Sequence, residues 1–376
     1  MEALNSGSGA YDLIVVGGGP AGAAAAITAA RHGFAVLLLE RGQFPRQKVC
    51  GEFVSAESLA LLQSLLPEGT DELLGKAPRI RHGRLFVDGH VIRTSIEPAA
   101  VSISRFDLDH ALWQAAIRTG VVARLQTSVQ TIEGRGPFRV GTSAGSFETR
   151  TVLNATGRWS NLNRGGEAQD ARGNKWLGVK AHFAEELPAP SVDLYFFEGG
   201  YCGVQPAWLL RESTETRVSR VNVCAMVRAD VASSLSEVFA QHPALRERSQ
   251  QWQPLMEAVS TSPLVFRDPE PLHEEVFQAG DAAGFVDPFV GDGISLALRS
   301  GATAAQHIVG YLRDEVTREV AGLRYAQTYR QTLLPIFRNS AKLRRLFRLP
   351  RVMRIPIVQV LEQVPSLASY LVRSTR

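Results

Sequence analysis

The 376-residue sequence predicts an α/β protein: a parallel sheet with a β meander, interrupted by an inserted antiparallel sheet and followed by a helical C-terminal tail. Three observations predict it. Two apolar strand-like runs within the first 40 residues enclose a glycine turn and an alanine-rich segment. From about Trp176 to Arg267 the texture changes to alternating, aromatic-rich strands, and near Val276 the first texture returns.

Tyr11 to Val16 is a short apolar strand, Gly17 to Gly22 a glycine-rich turn, Ala23 to His32 a helix, and Ala35 to Glu40 a second apolar strand. Strands apolar on both faces need cover on both, which a parallel sheet with crossover helices supplies. Ser58 to Leu66 has helical periodicity, and Ser104 to Thr119 forms an amphipathic helix with Leu108, Leu112 and Ala115 on one face. The meander follows as Val121 to Thr131, Phe138 to Val140 and Ser146 to Leu153. Val192 to Phe197 and Val218 to Val227 alternate as half-buried strands do, with a helix near Ala232 to Gln241. A strand near Glu275 to Gln278, a glycine-rich loop and a helix from Gly293 to Tyr311 complete the first domain. That domain is therefore discontinuous, comprising residues 1–75, 101–170 and 268–332, with 76–100 and 171–267 forming the second and 333–376 a basic helical segment broken by Pro350, Pro356 and Pro365.

Lys and Arg number 41 against 37 Asp and Glu, a net charge of +4. The excess is local. From Arg338 onward the only acid is Glu362, and the rest of the chain is slightly acidic, which argues against a nucleic-acid partner. Cys50, Cys202 and Cys224 are too few for a disulfide framework, and none lies in a CxxC pair. The first residues lack the Lys or Arg of a secretory signal, and no apolar run reaches membrane-spanning length, so a cytoplasmic location is expected.

Gly17-Gly18-Gly19-Pro20-Ala21-Gly22 fits GxGxxG after a strand and before a helix, with Glu40 at the end of the next strand. Gly17 permits a tight turn, Gly19 lets backbone approach a pyrophosphate at the helix N-terminus, and Gly22 allows close helix–strand packing. Glu40 suits an adenosine ribose and repels a 2′-phosphate. This is a Rossmann-like dinucleotide site, and the motif alone does not separate FAD from NAD.

Gly280-Asp281-Ala282-Ala283-Gly284 follows a later strand and leads through Asp287-Pro288 to Gly291-Asp292-Gly293-Ile294 and a helix. An Asp beside small residues suits a ribityl or ribose hydroxyl, and a helix start suits the anionic edge of a reduced flavin. With these segments and Ala155-Thr156-Gly157-Arg158-Trp159-Ser160, the chain from Tyr11 to about Tyr329 resembles the glutathione-reductase-type flavoproteins. That family includes aromatic hydroxylases, flavin-dependent halogenases and geranylgeranyl reductases. The resemblance implies an FAD-binding domain and an inserted substrate domain. It implies that Gly17, Gly19, Pro20, Ala21, Gly22, Glu40, Arg41, Arg105, Asp281, Pro288, Gly291, Gly293 and Ile294 hold FAD, with Asp281 on the ribityl chain and the Gly291–Ile294 backbone at the pyrimidine edge. Hydroxylases that take hydride directly from NADPH usually carry an Asp where this chain has Thr156. The electron donor is accordingly NAD(P)H or a partner reductase.

Phe44-Pro45-Arg46-Gln47-Lys48-Val49-Cys50-Gly51-Glu52-Phe53 resembles the Lys-x-Cys-Gly segment of geranylgeranyl reductases and, less closely, a Phe-Pro-Arg and Gly-Glu segment of phenolic halogenases. Cys50, near Lys48 and Arg46, reads as a thiol of lowered pKa or as a small packing residue. Glu52 reads as a substrate-orienting group or a proton donor with a raised pKa, or as an ion-pair partner. Gly199 to Pro206 resembles the strand that lies over the flavin in prenyl reductases and halogenases, which makes Tyr195, Phe197 and Tyr201 candidates for the lining of an apolar cavity.

Other chemistries fare worse. Gly141-Thr142-Ser143-Ala144-Gly145 matches GxSxG but precedes a strand, not the helix of a nucleophile elbow. His273-Glu274-Glu275 lacks the second His of a zinc helix, and the tryptophan-halogenase WxWxIP signature is absent. The expected activity is an FAD-dependent oxidoreductase. A monooxygenase using reduced flavin and O2 on a lipophilic aromatic, polyketide-like or isoprenoid substrate, free or carrier-bound, is favoured over an alkene reductase and a halogenase. A flavin-binding redox partner is the non-enzymatic alternative. In the tail, Leu343, Leu346, Phe347 and Leu349 interleave with Lys342, Arg344, Arg345 and Arg348. That pattern suits either a helix packed on its own domain or peripheral contact with a membrane.

Overall fold

The computed structural model describes residues 10–68, 70–158, 162, 175–209, 219–264, 268–285, 291–347 and 349–375. Strand β1 (Tyr11–Val16) passes through Gly17–Gly19 into α1 (Pro20–Arg31) and returns as β2 (Val36–Leu39). The short β3 (Phe53–Val54), α2 (Leu59–Leu65) and α3 (Thr70–Gly75) lead to a long hairpin, β4 (Arg79–Val87) and β5 (His90–Ser102). Helix α4 (Arg105–Arg118) precedes β6 (Val122–Arg124), β7 (Val129–Glu133), β8 (Phe138–Thr142) and β9 (Gly145–Asn154). Next come β10 (Trp176–Ala184), β11 (Ser191–Phe197), β12 (Gly200–Ala207), β13 (Arg220–Arg228), α5 (Leu235–Ala240), α6 (Pro243–Ser249), β14 (Gln253–Pro254) and β15 (Val259–Thr261). The chain closes with β16 (Leu272–His273), β17 (Val276–Gln278), α7 (Gly293–Leu312), α8 (Arg318–Thr332), α9 (Leu334–Phe347), α10 (Arg351–Gln363) and α11 (Pro365–Arg373).

The first sheet runs β16-β17-β9-β1-β2-β6, with β7 and β8 joined through β9. β1 pairs in parallel with β2 and β9, and β17 extends the parallel set. β2 and the last four residues of β1 are wholly buried, the expected state of central parallel strands. Each such Val, Leu or Ile contributes about 1.5–3 kcal/mol by leaving water. The alanines of α1 bring α7 unusually near: a Cβ at Gly301 would lie 2.0 Å from the Ala21 carbonyl oxygen.

Three sequence expectations shift here. The first helix starts at Pro20, not Ala23, because Pro is preorganised for a first helical turn, so the glycine turn is only Gly17–Gly19. The single strand expected from Val121 to Thr131 is two: β6 joins β2 in parallel, and β7 pairs with β8. The GxSxG match is the hairpin between β8 and β9.

The second sheet has nine strands in the order β14-β10-β13-β12-β11-β4-β5-β3, with β15 on β10, and only its β11–β4 pairing is parallel. Alternation gives it two different faces. On one, Val179, Ala181, Val204, Val221 and Val223 pack with Leu235, Val238 and Leu245 of α5 and α6. The other carries Gly178, Lys180, His182, Asn222, Cys224, Tyr201 and Gln205 and turns toward the cavities described next. α10 and α11 lie against β5, where Val358, Leu361 and Ala368 pack with Val87 and Ile92.

Candidate active site

A cavity of about 390 Å3 is lined by residues attached to both sheets. Two helix starts reach it. α1 has Gly19 at its N-cap and α7 has Asp292, and neither is capped by a side-chain hydrogen bond. Gly17, Gly19, Pro20, Ala21, Gly291, Gly293 and Ile294 line the cavity, placing the positive ends of two helix dipoles at one space. Gly22 is outside it and serves packing, since a Cβ there would lie 1.8 Å from the Gly17 carbonyl oxygen. Pro288, with Trp159, Ser160 and Asp287, lies outside the described residues.

Charge is arranged along the cavity wall. Glu40, at the end of β2, accepts from the Gly18 amide at 3.0 Å and from the Gly42 amide at 2.8 Å, and pairs with Arg46 at 2.9 Å. Its carboxylate thus braces the glycine turn besides facing the cavity, next to exposed Arg41. Arg105 opens α4 and is clamped by Asp109 at 2.6 and 2.7 Å. Burial opposes its charge, but Asp109 holds its pKa above the ordinary guanidinium value. Burial pushes the Asp281 carboxyl up, against the pull of Arg158 at 3.6 Å, Arg105 and Lys48. Burial, with Arg46 and Arg105 nearby, brings Lys48 down to about 8.

The loop after β2 overturns the lowered-pKa reading of Cys50 and the proton-donor reading of Glu52, and gives Glu52 its alternative role as an ion-pair partner. Burial raises the Cys50 pKa instead of lowering it, and Arg105, the strongest opposing charge, does not offset the desolvation. Cys50 is therefore a neutral thiol; its Sγ accepts from the Glu52 amide at 3.3 Å. Glu52 is no acid reserve. It is fully buried, and although burial alone would raise its pKa, Lys180 Nζ at 2.6 Å and His182 Nε2 at 2.9 Å bring it to about 2. Gln47 accepts a second bond from Lys180 at 2.7 Å, so the whole loop is tied to β10. Glu52 is a carboxylate fixed by Lys180 and His182, and its backbone amide contacts Cys50.

A second cavity of about 120 Å3 adjoins the first, the two sharing Gly51, Phe53, Tyr201, Cys224 and Gly291. Leu85, Ile92, Ile96 and Val192 face it from the sheet, and Leu343, Leu346, Phe347 and Leu361 close it from the tail. No charged side chain lines it among the described residues. Of the three aromatic residues expected there, only Tyr201 is present. Tyr195 and Phe197 sit on the opposite face of β11, with Tyr195 stacked on Phe86 at 4.5 Å and its hydroxyl accepting from Arg248 at 3.1 Å. The alternation was legible but assigned to the wrong face; Val192 and Leu194 are the lining residues.

Lys180, His182 and Arg158 were missed. A signal for the first two existed, because a Lys and a His two residues apart in an otherwise apolar strand share one face. Arg158 packs over Phe285 at 4.3 Å beside Asp281.

The donor set fits a flavin dinucleotide. A Cβ at Gly19 would have only Arg105 Nη2 nearby, at 3.8 Å, and one at Gly293 would have nothing within 4 Å, so both backbones are open to a ligand. A family model described as FAD dependent oxidoreductase matches residues 12–46. The menaquinone reductase of Mycolicibacterium smegmatis is 38% identical over 125 residues, 31% of this chain and 29% of that protein. The flavin-dependent halogenase armH3 of Armillaria mellea is 26% identical over 360 residues, covering 82% of this chain and 69% of its own. The digeranylgeranylglycerophospholipid reductase of Methanococcus vannielii is 24% identical over 327 residues, 81% of this chain and 78% of its own. Among solved structures, the myxobacterial chondrochloren halogenase superposes with a TM-score of 0.72 at 23% identity, over 85% of this chain and 79% of its own. A geranylgeranyl bacteriochlorophyll reductase-like protein of Thermoplasma acidophilum gives 0.69 at 19%, over 96% and 91%.

A dinucleotide fold with two helix starts on one cavity defines the class, a flavin-binding oxidoreductase. Residues 12–46 match the FAD dependent oxidoreductase family, and over most of its length the chain is similar to halogenases and prenyl-type reductases. These relatives give no specific support to the monooxygenase that the sequence reading favours.

Proposed function

We propose that this protein is an FAD-dependent alkene reductase acting on a lipophilic, isoprenoid-type substrate. One observation carries the reading: a neutral thiol, Cys50, stands beside the residue Gly51 shared by the polar cavity and an uncharged apolar one. The similarity to menaquinone and digeranylgeranylglycerophospholipid reductases supports the substrate class.

Gly17, Gly19, Gly293, Ile294, Arg105 and Asp281 would hold FAD, which when reduced supplies a hydride. The chain's own groups do the rest. The apolar cavity seats the hydrocarbon and excludes water. Cys50 Sγ–H would give its proton to the alkene carbon, and the resulting thiolate would regain a proton from solvent. Glu52, held as an anion by Lys180 and His182, does not compete as donor. NAD(P)H or a partner reductase would supply the electrons.

Halogenation is the second reading, favoured by the 82% of this chain that aligns with the Armillaria halogenase. The test is to reduce the flavin-loaded protein chemically and supply isoprenoid alkenes without oxygen. Saturated product under anaerobic conditions supports the reductase. Product that forms only with oxygen and halide supports the halogenase, and product that needs oxygen alone supports the monooxygenase. Replacing the chemical reductant with NADH or NADPH then identifies the donor.

A further inference from the structure

Helix α10 is apolar on two sides. Inward, Val358 and Leu361 pack on the β4–β5 hairpin. Outward, Val352, Met353, Ile357 and Val360 recur at helical spacing and are exposed, Val352 by 80%. Val364, Leu367 and Tyr370, the last 68% exposed, extend the outward set through α11. The only exposed uncharged polar residues of α10 are Gln359 and Gln363.

The exposed charge of the tail is mostly basic. Arg338, Lys342 and Arg345, at i, i+4 and i+7 of α9, are exposed, as is Arg373, while the exposed Arg351 pairs with Asp88 at 3.8 Å. Glu362, the only acid from Arg338 onward, is engaged by His90 Nδ1 at 2.7 Å and the Val91 amide at 3.1 Å. α10 and α11 together have the apolar content of a membrane segment but bend by 102° between them, and no single helix among the described residues is long and apolar enough to cross a membrane. With one side packed on the sheet, the pair has the form of an interfacial anchor.

We propose that the outward face of α10 and α11 docks on an anionic lipid bilayer, with its apolar side chains at headgroup depth and the flanking cations on lipid phosphates. The inner faces of the same helices, through Leu361, Ala368 and Leu371, wall the apolar cavity. Docking therefore brings that cavity to the membrane that dissolves an isoprenoid substrate, a consequence that rests on the alkene-reductase reading.

The test uses the full chain with its flavin, sedimented with vesicles of phosphatidylcholine alone or mixed with phosphatidylglycerol. The protein is expected to pellet with the anionic vesicles and to be released by salt. Met353→Glu with Val360→Glu is expected to weaken vesicle binding about tenfold or more while flavin content and melting midpoint stay constant. Lys342→Gln with Arg345→Gln is expected to reduce the preference for anionic vesicles. The proposal is overturned if the wild type stays in the supernatant, if the glutamate variant binds equally, or if light scattering shows a wild-type dimer that this variant dissociates while vesicles bind neither. Since no turnover is measured, such a failure leaves the alkene-reductase reading standing.

Discussion

Glu52 and Lys180 meet at 2.6 Å with neither side chain exposed to solvent. This pair, completed by His182, fastens the Cys50 loop to the second sheet. Breaking it from one side strands a buried charge, so Lys180→Met is expected to cost about 3–5 kcal/mol of stability, measured by urea unfolding. The pair also sets an acid limit. Glu52 is held at about 2 against an ordinary 4.5, so its contribution is fully present above pH 4.5 and is lost as the pH falls through about 2. A shift of that size corresponds to about 3 kcal/mol. Calorimetry between pH 6 and 2 should show the melting midpoint falling across that window, and Glu52→Gln should flatten this part of the fall.

Cys50 is expected to behave as a protonated thiol. Its alkylation by iodoacetamide should be slow at neutral pH and accelerate only above the range of an ordinary cysteine, because burial raises its pKa. Cys50→Ser should lower alkene reduction by about 100-fold or more with bound flavin unchanged. Full activity in this variant would remove the proposed proton donor.

Two glycines of the first turn should separate binding from folding. Gly19 has an extended backbone and open space at its Cβ, so Gly19→Val should fold with a loss of about 1 kcal/mol while FAD affinity drops by an order of magnitude or more. Gly22→Ala meets the Gly17 carbonyl at 1.8 Å and should destabilise the protein itself. Flavin titration and thermal melting of both variants distinguish these outcomes.

Tyr195 and Leu194 are neighbours in sequence on opposite faces of β11. Tyr195→Phe removes one acceptor of Arg248, which keeps its bonds to Asp193 and Glu185, and should cost about 1 kcal/mol or less in stability without altering KM. Leu194→Trp should narrow the apolar cavity and raise KM for long substrates, leaving flavin binding intact.

The parallel βαβ unit and the glycine-rich cofactor segments were legible because local pattern dictates them: buried strands, a turn that only glycine fits, and a helix start. The second sheet was legible as a texture, but not in which face of β11 is wet. Alternation specifies that two faces differ, and only the helices packed on them decide which is core. The lowered-pKa reading of Cys50 and the raised-pKa reading of Glu52 fail for a related reason, while the ion-pair reading of Glu52 holds. Arg46 and Lys48 are near Cys50 in sequence, yet desolvation dominates its titration, and the groups that control Glu52 come from β10, 128 and 130 residues away.

Ser55, just beyond β3, donates from its hydroxyl to Asp292 at 2.7 Å, and its amide donates to Ser295 at 3.3 Å. These contacts splice the strand following Cys50 to the first turn of α7, across 237 and 240 residues of chain. The Cys50 loop and the start of α7 are thereby held to each other by the protein's own hydrogen bonds. On the alkene-reductase reading, the position of the thiol relative to the helix end that would face the flavin is set by the apoprotein, before either ligand arrives.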